Sequence, residues 1–289
     1  MSDTPVESRR PLVTADTSLP LWLDDLRRAE VLDPIENDSR TGQDRPLGVD
    51  QQAVFEICGG GQADFDESWN DLSSDDRCLL YARSFQRGHL QELLAAFRLL
   101  FRDSAPESPV VIDLGCGPFT GGLAMAATLD PCRFHYVGVD RSAAMRRLGH
   151  RLADTVRTYH PDAVISHRWV ADATEDAWDL APSWRPILVI VSYLLASPTL
   201  DLVVLIEGLN KLLLRIGRGP AMVLYTNSPR PKANQRLPEF RDALEDCQFE
   251  QKTEDDAVLP ADRDSGYPYE RRLRYALFYR SELTTLSLD

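Results

Sequence analysis

Thirteen residues limit this chain more than any others: Val110-Val111-Ile112-Asp113-Leu114-Gly115-Cys116-Gly117-Pro118-Phe119-Thr120-Gly121-Gly122. An apolar, β-branched run carries one acid and ends in a Gly-x-Gly turn, and Leu123-Ala124-Met125-Ala126-Ala127 follows with a helical pattern. This order predicts a buried strand, a tight turn and a helix N-terminus. Glycine lets the backbone turn sharply and lets a ligand approach main-chain N–H groups without a Cβ between them. The helix start adds unpaired donors and a partial positive charge. The turn therefore suits a polar or anionic ligand.

The spacing narrows the ligand. A P-loop is excluded, because no Gly-Lys-Ser/Thr follows. The dinucleotide pattern GxGxxG fails at Thr120, although the looser Gly115, Gly117, Gly121 set leaves a dinucleotide reading open. Asp113 lies inside the strand, where an acid among apolar neighbours needs a reason. Asp140 closes the next apolar run, Phe134 to Asp140, some twenty residues past the turn, where a carboxylate can accept from both ribose hydroxyls.

From Val110 onward, strand and helix patterns alternate. Strands are expected over Val164 to Asp172, Ile187 to Ser192 and Ala221 to Thr226. Helices are expected over Ser142 to Tyr159, Leu200 to Ile216 and Leu237 to Cys247. Phe249 to Thr253 and Tyr269 to Tyr279 alternate and read as a terminal hairpin. Repeated β-α units predict a parallel sheet with helices on both faces.

Val111-Ile112-Asp113-Leu114-Gly115-Cys116-Gly117, Val137-Gly138-Val139-Asp140, Val170-Ala171-Asp172-Ala173 and Ile187-Leu188-Val189-Ile190-Val191-Ser192-Tyr193 stand in one order. In that order the chain resembles the class I S-adenosylmethionine-dependent methyltransferases, over roughly Val110 to Arg280. The resemblance implies an α/β fold: a Rossmann-like, seven-stranded, mostly parallel sheet with an antiparallel terminal hairpin. It implies S-adenosyl-L-methionine as cofactor. Gly115, Cys116 and Gly117 would pass beneath its amino-acid end, and Asp113 would orient that loop and the ammonium. Asp140 would hold the ribose diol, with Arg141 beside it. Asp172 would accept from the adenine amino group and Ala173 would donate its N–H. Ser192 and Tyr193 would line the strand-four exit beside the reacting methyl. Phe119 stands where many members carry a third glycine; some small-molecule N-methyltransferases, of the nicotinamide and phenylethanolamine type, also depart there after a Gly-Pro. Ser192-Tyr193-Leu194-Leu195 replaces the Asn-Pro-Pro-Tyr tetrapeptide and counts against amide or base N-methylation of the adenine or glutamine kind.

Three domains are expected: 1-50, a flexible tail with a short helix over Leu21 to Leu32 and a linker from Asp33; 51-105, a helical cap; and 106-289, the cofactor-binding domain. In the cap, Asp50 to Ile57 reads as a short helix stopped by Gly59-Gly60-Gly61. Ser73-Ser74-Asp75-Asp76 opens a longer helix that Gly88 splits. The cap is read as a lid, with Tyr81 covering the sulfonium and Arg83 pairing with the methionine carboxylate.

The bland alternatives are a turn cap for Asp113, an N-cap for Asp172 and a solvated face for Arg141, Arg146, Arg147, Arg151 and Arg157. Cys116 has no histidine partner placed by sequence, which disfavours a catalytic thiol.

The formal net charge of -13 disfavours binding to nucleic acid and favours a small-molecule or protein acceptor. The acidic segment 239-264 reads as a surface for a protein partner. No membrane span, metal cluster or leader is expected, and five unpaired cysteines fit the cytoplasm. The rival readings are an RNA methyltransferase with a basic partner, an NAD(P)-dependent oxidoreductase and a non-catalytic methyltransferase-like subunit.

Overall fold

The computed structural model describes residues 18–101, 106–128, 133–172, 184–216, 219–261 and 270–281. Its centre is a seven-stranded sheet in the order β3-β2-β1-β4-β5-β7-β6. The strands are β1 Val110–Leu114, β2 Phe134–Val139, β3 Val164–Val170, β4 Ile187–Ser192, β5 Ala221–Asn227, β6 Glu250–Leu259 and β7 Arg271–Arg280. Strand β7 runs antiparallel to both its neighbours, and every other pairing is parallel. The β1 and β4 strands are apolar at nearly every position because neighbours cover both faces.

The helices are α1 Leu21–Arg27, α2 Asp33–Glu36, α3 Val54–Ile57, α4 Ser74–Tyr81, α5 Arg87–Leu100, α6 Thr120–Thr128, α7 Ala143–Tyr159, α8 Leu202–Ile216 and α9 Leu237–Asp246. One apolar core joins α1 and the α4 to α7 helices to the sheet through Val111, Leu188, Ile190 and Leu224. A second, on the opposite face, joins α8 and α9 to Ile112, Val189 and Val223. Successive strand residues thus face opposite cores, as the two-residue period requires.

Several element boundaries differ from those expected. Helix does not stop at Leu32: a π-helical segment, Arg28–Leu32, leads into α2. Pro34 lacks an N–H, and its ring crowds the carbonyl one turn back, so a wider turn precedes it. Gly88 does not split the cap helix. The irregular turn is another π segment, Ala82–Gln86, between α4 and α5. Its cause is tertiary. The buried Arg27 guanidinium donates to the Ala82 carbonyl and to Gln86 Oε1. Strand β6 is longer than expected and starts at Glu250, continuing through Glu254, Asp255 and Asp256. Those acids are tolerated on an edge strand, where charge also blocks further pairing. Arg274 on β7 bonds to Glu254 and Asp256, and Arg241 on α9 bonds to Glu254. The acidic segment is therefore partly neutralised within the chain as far as residue 261; its last three residues lie outside the described ones.

Candidate functional site

The glycine turn is set by its neighbours. Gly115 and Gly117 take φ 68° and 51°, in the left-handed region. The Gly115 and Cys116 N–H groups donate to the Val139 carbonyl, which closes the turn against β2. Gly117 N–H donates to Asp140 Oδ2 at 2.9 Å, while Asp140 Oδ1 accepts from Ser142 N–H at 2.9 Å. One carboxylate thus ties the turn to the start of α7 and keeps a lone pair on each oxygen. Burial pushes the Asp140 carboxyl up, and the Ser142 and Gly117 N–H groups oppose this.

A cavity of about 340 Å³ lies over the carboxyl ends of β1, β2 and β4, within the size range of small-molecule sites. Gly115, Gly117, Asp140 and Ser142 line its floor. Asp172, Arg141, Thr199 and Leu205 line one end, where Arg141 donates to Thr199 Oγ1 at 2.7 Å. Ser192, Tyr193, Tyr81, Gln62 and Phe65 line the other.

The turn between α3 and α4 covers this second end and is fixed from both sides. Asp66 accepts from Ser142 Oγ and from the Ala143 and Ala144 N–H groups, capping α7 from outside. The buried Arg77 guanidinium donates to the carbonyls of Ile57, Asp64 and Glu67. Gln86, in the π segment, donates to the Pro118 carbonyl at 3.0 Å and so couples the cap helix to the glycine turn. Such a widened turn frequently marks a functional position.

Most residues singled out from the sequence border this cavity, but three side chains do not. Asp113 is 2% exposed and faces α6. Its Oδ2 accepts from the Tyr136 hydroxyl at 2.8 Å, and its carboxylate also accepts from Gly121 N–H. The two-residue period explains this: Asp113 shares the α6-covered face with Val111. A Cβ on Gly121 would stand 2.3 Å from Asp113 Oδ2. Cys116 is buried beneath the turn, and burial raises its thiol well above its ordinary value. Arg83 points away, donating to Gln51 Oε1 at 2.6 Å. Its position on the helix sets that direction, two residues past Tyr81 and so well around the axis. Ala173 lies outside the described residues.

Tyr193 leaves β4 at φ 59°, an uncommon conformation for a side-chain-bearing residue. Its N–H donates to the Thr226 carbonyl, and its ring stacks on His89 with centroids 4.3 Å apart. That stacking sets Tyr193 against the helix face that also carries Glu92; burial raises the Tyr193 hydroxyl, and the Glu92 carboxylate raises it further. The Tyr81 hydroxyl lies 3.5 Å from His89 Nδ1. Sequence reading passed over His89 and Glu92. One signal was present: Glu92 is the only acid in the otherwise apolar and basic helix Arg87–Leu100.

Among the described residues, His150, Asp154 and His167 gather on the outer side of α7 and β3. Trp169 Nε1–H donates to His167 Nδ1 at 3.0 Å. Neutral His167 then carries its proton on Nε2 and donates to Asp154 at 3.1 Å. A cation would need that nitrogen bare, so the group reads as a hydrogen-bonded surface cluster.

Six parallel strands with β7 reversed, and a glycine turn between β1 and α6, define the class I, Rossmann-like methyltransferase fold. Solved structures similar to this chain include a precorrin-6y C5,15-methyltransferase from Geobacter metallireducens GS-15, at 12% identity and TM-score 0.43, over 66% of this chain and 88% of that one. An S-adenosylmethionine-dependent methyltransferase from Methanosarcina mazei is similar at 13% identity and TM-score 0.43, over 64% and 98%. A geranyl diphosphate methyltransferase solved with GPP and sinefungin is similar at 14% identity and TM-score 0.41, over 90% and 99%. The likeness is one of fold alone. No family model and no curated protein matches the sequence.

Proposed function

We propose that the protein binds S-adenosyl-L-methionine in the cavity over β1, β2 and β4 and transfers its methyl group to a small-molecule or protein acceptor. The observation that carries this reading is the Asp140 carboxylate, tied to Gly117 N–H and set in the cavity floor. The residues fit the cofactor. Asp140 keeps lone pairs for a ribose diol. Ala171 and Asp172 stand at one end with the apolar side chains of Leu205 and Val204, suited to an adenine. Gly117 leaves open space above the turn, since a Cβ there would meet only Tyr81, at 3.9 Å.

The cofactor supplies an activated methyl on a sulfonium. The protein's part is to hold it, orient an acceptor and keep water out. Residues 51–101 serve as the lid, through the 59–66 turn and Tyr81 rather than through Arg83. Asp113 and Cys116 act from beneath the turn, Asp113 by bracing it against α6. Ser192 and Tyr193 stand at the acceptor end.

Calorimetric titration with S-adenosylmethionine, S-adenosylhomocysteine and NAD tests the reading. The first two are expected to bind and NAD is not. The variant Asp140→Ala removes a charge-assisted contact of roughly 1.5–3 kcal/mol, so its affinity should fall about ten- to a hundredfold. Equal binding by the variant would remove Asp140 from the site, and binding of NAD alone would replace the reading with the oxidoreductase one.

A further inference from the structure

Behind the Tyr193 wall lies a buried polar chain that the binding of a cofactor does not explain. Glu92 is 4% exposed and is the only acid of its helix. Its Oε1 lies 3.3 Å from Arg271 Nη1 at the start of β7, and Arg271 Nη2 donates to Gln91 at 2.6 Å. Its Oε2 is buried and accepts no hydrogen bond from the described residues. A buried carboxylate oxygen left without a donor is costly to retain for packing alone. Tyr193 lines the cavity, and its ring stacks on His89, one helical turn before this carboxylate.

We propose that Glu92 is the proton acceptor of the reaction, acting through the Tyr193 hydroxyl, and that the methyl acceptor is therefore an O–H or N–H compound. The inference rests on the proposed methyl transfer. As the acceptor's lone pair forms its bond to the methyl carbon, the C–S bond breaks and its electron pair stays on sulfur. The acceptor's proton passes to the Tyr193 oxygen, and the Tyr193 proton passes to Glu92. The phenol stays neutral, as it must where burial and the neighbouring carboxylate raise its pKa.

The surroundings suit a base that works near neutral pH. Burial pushes the Glu92 carboxyl up to about 7, against the pull of Arg271 and the Tyr193 hydroxyl. His89, on the same helix, is pushed down to about 4 by burial and by Arg271, so it is neutral there and does not compete. Tyr81 faces His89 from α4, and its hydroxyl is raised by burial. Helix α6, packed along α5, carries no ionisable side chain over Thr120–Thr128. Below about pH 7 Glu92 is protonated and cannot accept, so turnover should rise with pH through that value.

The test offers phenols, catechols, primary amines, a thioether and an aromatic carbon nucleophile to the full chain with S-adenosylmethionine, and measures S-adenosylhomocysteine released. Turnover confined to O–H or N–H acceptors is expected. Glu92→Gln should lower kcat at least a hundredfold, flatten the rise near pH 7 and leave S-adenosylhomocysteine affinity within twofold. Tyr193→Phe should flatten the same rise. Retained kcat and an unchanged pH profile in Glu92→Gln, turnover of the thioether or carbon acceptor only, or no turnover of any O–H or N–H compound by a wild type that binds S-adenosylhomocysteine would overturn the proposal. A wild type that binds neither form of the cofactor would instead refute the proposed methyl transfer.

Discussion

At φ 64° Phe119 holds a conformation that a Cβ makes unfavourable by about 1–2 kcal/mol. Its ring is fully buried, packed edge-on to Tyr136 and Trp169 and over Gly122, where a Cβ would come within 1.9 Å of it. Removing a buried Phe typically costs about 3–5 kcal/mol. Burial therefore outweighs strain, and Phe119→Gly should lower unfolding free energy by about 1–4 kcal/mol in a urea titration despite restoring a glycine. Asp113 gives a second prediction. Burial pushes its carboxyl up to about 7 from 3.8, with Tyr136 and Gly121 pulling the other way. A raised carboxylate pKa means that the folded state holds its proton longer than the unfolded chain, so this group's contribution to stability falls as pH rises between those values and is constant above. Thermal melts of Asp113→Asn against wild type should shift in the variant's favour from pH 4 to 7 and no further. The departure at Phe119 was legible in the sequence, but the ring's fit over Gly122 was not, because Tyr136 and Trp169 reach it from later strands. The placement of Asp113 opposite α6 was legible in principle from strand alternation.

The cap elements follow their apolar periodicity, and the capping box at Ser73 with Asp76 fixes where α4 begins. The π segment before Pro34 has a local cause, but the one between α4 and α5 cannot be read from local sequence. The one at Ala82–Gln86 depends on Arg27, whose hydrogen bond to Ala82 spans 55 residues. The 59–66 turn has a similar long-range anchor in Asp66. Burial raises the Asp66 carboxyl, but the Ala144 and Ala143 N–H groups and the Ser142 hydroxyl outweigh it and leave the pKa below 3.8. The anchor therefore holds at neutral pH and weakens only in acid, below that value. Asp66→Ala should speed S-adenosylhomocysteine dissociation several-fold in stopped-flow measurements. It should also raise amide exchange over residues 59–66 while the α8 helix keeps its protection. Unchanged dissociation and exchange would make the turn a fixed wall rather than a lid.

Over the whole molecule the alternation of strand and helix from Val110 onward was legible, and the four motifs located the floor of the cavity. Tyr81, Ser192 and Tyr193 were legible at the other end of the cavity, but the polar chain behind them was not, because Glu92 comes from the cap helix and Arg271 from β7. Among the described residues no helix is long and apolar enough to cross a membrane. With a net charge of -13, the protein should show no salt-sensitive complex with random RNA in an anisotropy titration at physiological salt, and such a complex would revive the RNA reading. The bond from Arg271 to Gln91 and Glu92 links residues 180 and 179 positions apart. During synthesis the cap helix leaves the ribosome long before this arginine exists, with Glu92 still able to face water. Only when β7 docks antiparallel to β5 can Arg271 reach that carboxylate, so a nascent chain can assemble the glycine turn and Asp140 well before the polar chain behind Tyr193 is complete.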